Sequence, residues 1–298
     1  MGWADSATRG AKALPELPEV EALARFITDQ AAGTTIRRAD LATFSALKTF
    51  DPPLDAIVGR TIVGCRRWGK YLGIDLNGLW LVMHLARGGW VHWRAEVPAA
   101  RPKLGKGPLA LRVTLDSGSG FDVTEQGTEK RLAIWIVVSP EQVEGIVKLG
   151  PDPLAAGFDA AALRAALGRP GTLKNVLTDQ SALAGVGNAY SDEALHVARL
   201  SPYKPAAKLT DAEVERLFQA LVGVLGEAAA RSAGLPASGL KSDKKTNMRV
   251  HGRAGLPCPE CGDDIREVSY ATKSFQYCPT CQTGGKPLAD RRLSRLLK

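Results

Sequence analysis

The chain has 298 residues, 45% of them hydrophobic and 23% charged, which is ordinary for a folded protein and excludes a wholly disordered one. No run of 18 apolar residues occurs, and Met1-Gly2-Trp3-Ala4-Asp5 lacks the basic-then-apolar order of a secretion signal, so a cytoplasmic protein with no membrane partner is expected. The formal charge of +8 is uneven: residues 238–298 hold twelve Lys or Arg against six Asp or Glu, which favours an anionic partner, with a merely solubilising surface as the bland reading.

Residues 1–14 form a polar leader without periodicity. Pro18 then sits where a first helical turn tolerates proline, Val20, Leu23, Ala24 and Ile27 follow at helical spacing, and Gly33 ends the segment. From about 36 to 140 the pattern is that of strands. Runs 71–76 and 79–85 flank Asn77-Gly78, the strongest short hairpin signal, and 109–115 and 132–138 are further strands. This half reads as a β-sandwich or barrel with one leading helix. After Gly150-Pro151 the texture is helical. Asp159 caps a helix running to Leu167, 173–177 is a short helix, and Gly185-Val186-Gly187-Asn188 interrupts before 189–199. Thr210 and Glu213 form a capping box opening a long helix to about Arg231, and the Gly/Ser/Lys-rich stretch 234–247 reads as a linker.

Four of the five cysteines form two CxxC pairs, Cys258/Cys261 and Cys278/Cys281, 16 residues apart. Each pair presents two thiolates to one tetrahedral zinc ion, and the hairpin between them closes the site. Two disulfides are the competing reading, disfavoured because nothing else points to an oxidising compartment. Cys65 stands alone in a strand and reads as a small core residue.

Three separated motifs, Pro15-Glu16-Leu17-Pro18-Glu19-Val20-Glu21, Gly185-Val186-Gly187-Asn188-Ala189-Tyr190-Ser191-Asp192-Glu193-Ala194-Leu195 and the four-cysteine tail, together resemble the formamidopyrimidine-DNA glycosylase and endonuclease VIII family of DNA repair enzymes. The resemblance runs from Pro15 to about Gln282. It implies an α+β multidomain fold: a leader at 1–14, a catalytic β-sandwich domain with its leading helix at 15–140, a helix-two-turn-helix domain at 151–237 and a zinc finger at 248–284. It also implies a monomer acting on damaged DNA, duplex or single-stranded, with one structural Zn2+.

The same resemblance assigns roles. Pro15 is the nucleophile and Glu16 the acid/base that assists sugar opening and proton transfers. Lys70 matches a β-sandwich lysine that reaches a flanking phosphate or assists the leaving base, and Glu19 buttresses the site or only caps its helix. Asn188 matches the helix-two-turn-helix asparagine that binds phosphate, Lys174 a second phosphate-contacting position, and Glu193 either orients site groups or forms a pair along its helix. Lys273 stands near the position of the finger's arginine, although an ammonium cannot grip phosphate with two parallel bonds.

The sequence departs from the family pattern at several points. Pro15 follows Leu14, so as written its nitrogen is an amide, whose delocalised lone pair cannot attack a sugar carbon. The expectation is a native start in which the Leu14 codon is read as initiator methionine and removed. Arg87 aligns with the methionine that fills the gap left by a flipped nucleotide, and 124–131 lacks the usual proline and paired arginines of the second probing loop. Residues 239–245 replace the long segment that covers an oxidised guanine, so no lesion is assigned. Two other classes remain: a damage-binding protein that lost catalysis, and a zinc-ribbon nucleic-acid module, which leaves 15–21 unexplained.

Overall fold

The computed structural model describes residues 15–105, 107–127, 129–269 and 274–289. Helix α1 (Leu17–Ala31) leads into two four-stranded antiparallel sheets. One has the order β1 (Ile36–Leu41), β6 (Leu109–Leu115), β7 (Gly120–Glu125), β5 (Gly89–Arg94). The other has the order β2 (Gly64–Trp68), β3 (Tyr71–Asp75), β4 (Trp80–His84), β8 (Ala133–Val137).

The β3–β4 hairpin turns at Asn77 (φ 56°) and Gly78 (φ 86°), the positive-φ pair its sequence announces, and pairs Asp75 with Trp80. The period-2 alternation then sorts residues to two faces. Leu72, Ile74, Leu81 and Met83 point into the sandwich core with Leu111, Val113, Phe121 and Val123 of the other sheet. Val82 points the other way, into a small cluster with Trp68, Trp80 and Trp135. Strands β1, β2, β5 and β7 complete the sandwich in addition to the runs seen in the sequence.

Short helices α2 (Glu144–Val147), α3 (Ala160–Leu167) and α4 (Leu173–Thr178) follow, then α5 (Asn188–Val197) and the long α6 (Asp211–Ser232). Asp159 accepts the Ala162 N–H at 2.8 Å and Thr210 and Glu213 exchange their capping-box bonds, so both helix starts lie where the sequence placed them. Their apolar faces build a second core around Leu163, Leu177, Leu195 and Leu217. Helix α1 serves both cores: Leu17 belongs to the helical one, and Val20, Leu23 and Ile27 to the sandwich.

The stretch 234–247 is not a bare linker. It contains α7 (Leu240–Thr246), whose Leu240 is buried in the sandwich core. Lysine-rich composition reads as solvated surface, and only the tertiary contacts described below overrule it. Strands β9 (Arg266–Ser269) and β10 (Ser274–Tyr277) form the last hairpin, closed by α8 (Pro279–Thr283). Among the described residues no helix is long and apolar enough to cross a membrane.

Candidate active site and nucleic-acid interface

The end of α1 that carries the first motif meets the glycine turn that carries the second. The Leu17 N–H donates to the Gly185 carbonyl at 3.0 Å. Pro15 and Glu16 are both buried at this junction. The Glu16 carboxylate accepts the Ala189 N–H at 2.9 Å and the Tyr190 N–H at 3.3 Å, two of the unpaired donors that begin α5. A Cβ on Gly187 would lie 2.3 Å from Glu16 Cδ, so only glycine leaves room for that carboxylate.

Glu19 completes the cluster. It accepts the Glu16 N–H at 2.8 Å, the Tyr190 hydroxyl, and the Lys244 ammonium at 2.9 Å. Lys244 also lies 3.5 Å from Glu16 Oε1. Burial acts to raise the Glu16 pKa, but Lys244, Lys70, the Ala189 N–H and His251 outweigh it and hold the carboxyl at about 2. Glu19 moves the other way: burial pushes it up, with Lys244 and the Tyr190 hydroxyl opposing. The site therefore holds an ionised carboxylate next to Pro15.

Lys70 occupies the two-residue turn joining β2 to β3, half-buried, with the neighbouring Gly69 (φ 53°) set against Gly185. Its charge acts on Glu16 and, after burial, helps hold His84 down at about 4. Arg87 is exposed at the tip between β4 and β5. The Gln126 N–H donates to the Gly88 carbonyl at 2.9 Å, so the Arg87 turn and the 124–131 loop lie side by side. The buried Glu125 carboxylate accepts the Arg131 and Leu132 N–H groups and holds that loop closed.

The cysteine tail forms one cluster. Cys258 and Cys281 sulfurs are 3.9 Å apart and Cys261 and Cys278 sulfurs 3.4 Å apart, with all four thiols free. A tetrahedral zinc with Zn–S bonds near 2.3 Å spaces its sulfurs by about 3.8 Å, so the donors fit such an ion. His196 of α5 adds a contact the sequence did not suggest: its Nε2 lies 3.2 Å from Cys258 Sγ, and His196, Cys258, Cys278 and Cys281 form a group able to hold a metal ion.

Comparison with known proteins agrees with this geometry. Residues 14–128 match the formamidopyrimidine-DNA glycosylase N-terminal domain, and residues 149–237 match the formamidopyrimidine-DNA glycosylase H2TH domain. A formamidopyrimidine-DNA glycosylase of Symbiobacterium thermophilum is 34% identical over 94% of this chain and 93% of its own. The chain belongs to the formamidopyrimidine-DNA glycosylase family. A formamidopyrimidine-DNA glycosylase-like protein of Mycobacterium tuberculosis is 58% identical over 150 residues, 50% of this chain and 94% of that one. The crystal structure of the MutM (Fpg) protein of Thermus thermophilus superposes with a TM-score of 0.76 at 31% identity, covering 92% of this chain and 100% of that one. The Lactococcus lactis Fpg in complex with abasic-site DNA superposes with a TM-score of 0.79 at 26% identity, covering 90% and 99%.

Within this family framework, one expected phosphate contact, Lys174, is engaged inside the fold, and a second, Asn188, is engaged through one amide proton. Lys174 is buried, and its three protons go to the Asn188 carbonyl at 2.7 Å, Ser191 Oγ at 2.8 Å and Asp192 Oδ1. With three internal acceptors and 7% of the residue exposed, the Lys174 ammonium is committed to the turn that it bridges. The Asn188 amide donates one proton to the Ser274 carbonyl at 2.6 Å, tying α5 to the finger. Lys273 lies outside the described residues. Glu193 does orient its surroundings: it accepts the N–H groups of Arg249, Val250 and His251 where the chain enters the finger.

Sequence reasoning missed Lys244, Tyr190, His196 and His251. His251 Nδ1 contacts Asp192 at 2.7 Å, and nothing in the local sequence pairs them. The one available signal for Lys244 was its spacing of four from Leu240, which puts both on one helix face.

Proposed function

We propose that the protein is a base-excision-repair DNA glycosylase with abasic-site lyase activity, acting on damaged DNA and carrying one structural Zn2+. The observation that carries this reading is the buried, ionised Glu16 seated on the start of α5, immediately after Pro15 and ringed by Lys70 and Lys244.

The chemistry requires a free Pro15 nitrogen, hence a chain that begins at Pro15. The family match beginning at residue 14 supports that start. A secondary amine attacks C1′ of the damaged nucleotide and the base departs with a proton. The C1′–O4′ bond then opens, O4′ taking a proton, and the resulting iminium has no N–H to lose, so it stays cationic and accepts electrons. Loss of a C2′ proton then breaks the C3′–O bond and cuts the strand. Glu16, ionised at neutral pH, relays the protons of ring opening and elimination. An α-amino group titrates near neutrality, so an unprotonated fraction exists to attack.

Lys70 and Asn188 hold the backbone around the lesion, with Lys273 contributing from the finger. Lys174 supports Asn188 from behind. Arg87, exposed beside the 124–131 loop, fills the stack when the nucleotide is flipped; a guanidinium can stack on bases and donate to an orphan base's acceptors. Cys258, Cys261, Cys278 and Cys281 hold the zinc, which supplies a structural cross-link and no step of the reaction.

A second reading, a damage-binding protein without catalysis, is favoured by one observation: Leu14 acylates the Pro15 nitrogen in the chain as written. Borohydride trapping on DNA with one abasic site separates the two. The chain starting at Pro15 is expected to give an adduct mapped to Pro15, and the 298-residue chain none at that nitrogen. No adduct from either chain would establish the binding-only reading.

A further inference from the structure

Helix α7 brings a buried lysine to the acid/base group, and nothing in the family motifs accounts for it. Lys244 is 5% exposed, 2.9 Å from Glu19 Oε2, 3.5 Å from Glu16 Oε1, and 4.6 Å above the Tyr190 ring. An ammonium removed from water incurs a penalty of several kcal/mol unless charge and hydrogen bonds offset it, so a lysine is retained in such a place only with firm partners. Two carboxylates and an aromatic face provide them here.

The seat of this ammonium is built independently of its own ion pairs. The Trp90 indole N–H donates to the Ala237 carbonyl at 2.9 Å just before α7. Lys241 lies 4.4 Å over the same indole, and Leu240 is buried in the sandwich core. Both α7 anchors are on the sandwich, so α7 carries Lys244 to a fixed point between the two cores.

Glu16 is faced by Glu19 from its own helix, Lys70 from the β2–β3 turn, Lys174 from α4, Tyr190 from α5, His251 from the finger and Lys244 from α7. Lys244 is the strongest cationic influence among them on Glu16. We propose that Lys244 is a positioning residue of the active site, its ammonium tying the Glu16 and Glu19 carboxylates together and holding Glu16 against the start of α5. The assignment rests on Glu16 being the acid/base group.

The sign of the effect is fixed by charge. Removing the cation disfavours the ionised form, so Glu16 titrates at higher pH without Lys244 than its present value of about 2. The test uses the chain beginning at Pro15 in four forms: unaltered, Lys244→Met, Lys244→Arg and Lys241→Ala. The Glu16 carboxyl is titrated by carbon NMR, assigned by its loss in Glu16→Gln, and single-turnover cleavage of abasic-site DNA is followed against pH.

In Lys244→Met, the Glu16 midpoint is expected to rise by about one unit or more, while the acid limb of the rate, set by the Pro15 amine that titrates near neutrality, stays in place. The maximal rate falls ~10-fold or more while half-saturation by DNA stays within about twofold, because Lys244 acts on proton transfer and not on backbone contact. Lys244→Arg restores the midpoint, and Lys241→Ala leaves it in place. Lys244→Gln, also neutral, gives the same readout should Lys244→Met fail to fold. An unmoved midpoint in a folded neutral variant overturns the proposal, as does an equal shift in Lys241→Ala, which would make helix docking and not the ammonium responsible. Absence of cleavage by the unaltered chain would remove the lyase reading alone, since the carboxyl titration still decides whether Lys244 holds Glu16.

Discussion

Gly187 has no side chain because Glu16 occupies the space one would need. The carboxylate reaches past that glycine to the first N–H groups of α5, and a methyl group there would lie 2.3 Å from Glu16 Cδ. Neither neighbour yields easily: Glu16 is the buried residue just before α1, and Gly187 the buried residue just before α5. Gly187→Ala is therefore expected to cost about 1–3 kcal/mol in urea unfolding and to abolish borohydride trapping in the chain beginning at Pro15. Retained trapping with normal stability would show that Glu16 need not lie where it is seen. The same crowding explains why one motif contains two glycines: Gly185 sits against Leu17, and Gly187 against Glu16.

Helix α5 is the element on which most of the site depends. Its start binds Glu16, its Asp192 binds Lys174 and His251, its Glu193 holds the chain leading into the finger, and its His196 touches a finger cysteine. Strand β10 returns the contact twice, through the Gln276 N–H to Asp192 at 3.2 Å and the Ser274 carbonyl to Asn188. The finger is thus continuous with α5, and among the described residues its own packing is two small clusters, one of Val250, Ile265 and the cysteines Cys258, Cys278 and Cys281, the other of Val268, Phe275 and Tyr277. Clusters this small do not hold a hairpin without a further cross-link such as a metal ion. Chelation is expected to unfold 250–285 as a separate early transition and to weaken binding to abasic-site DNA by ~10-fold or more, checked by circular dichroism and fluorescence anisotropy. Unchanged affinity in chelator would separate the finger from DNA contact.

At the scale of the whole molecule, the sandwich and helical cores are joined, among the described residues, by a few segments. Helix α1 contributes to both, Arg67 of β2 bridges Glu21 of α1 and Asp152 beyond the sandwich, and α7 crosses from the helical core back to Trp90. The site lies between the cores, so its geometry is only as firm as these crossings. Trp90→Phe keeps an aromatic side chain and deletes the indole N–H that donates to the Ala237 carbonyl. A loss of about 1–3 kcal/mol is expected in urea unfolding, the cost of leaving that carbonyl unpaired. A loss near zero would mean that water replaces the indole and that α7 is held by Leu240 and Lys241 alone.

Local pattern was enough wherever the deciding interaction was itself local. Asn77-Gly78 specified its turn, Asp159 and Thr210 their caps, and the apolar spacing of α1 its buried face, because each acts on backbone a few residues away. The paired cysteines announced a thiol cluster able to hold a metal ion for the same reason, while His196, which joins that cluster from α5, left no local signal. The motif Pro15 to Glu21 marked the site, but not what surrounds it. Lys244 comes from 228 residues beyond Glu16, in a stretch whose composition is that of solvated surface. Lys174, in the more apolar run Leu173-Lys174-Asn175-Val176-Leu177, pairs its charge with Asp192. A lysine's role is set by which carboxylates the fold brings within about 4 Å of it, and that information lies in the packing of two cores, not in the residues flanking it.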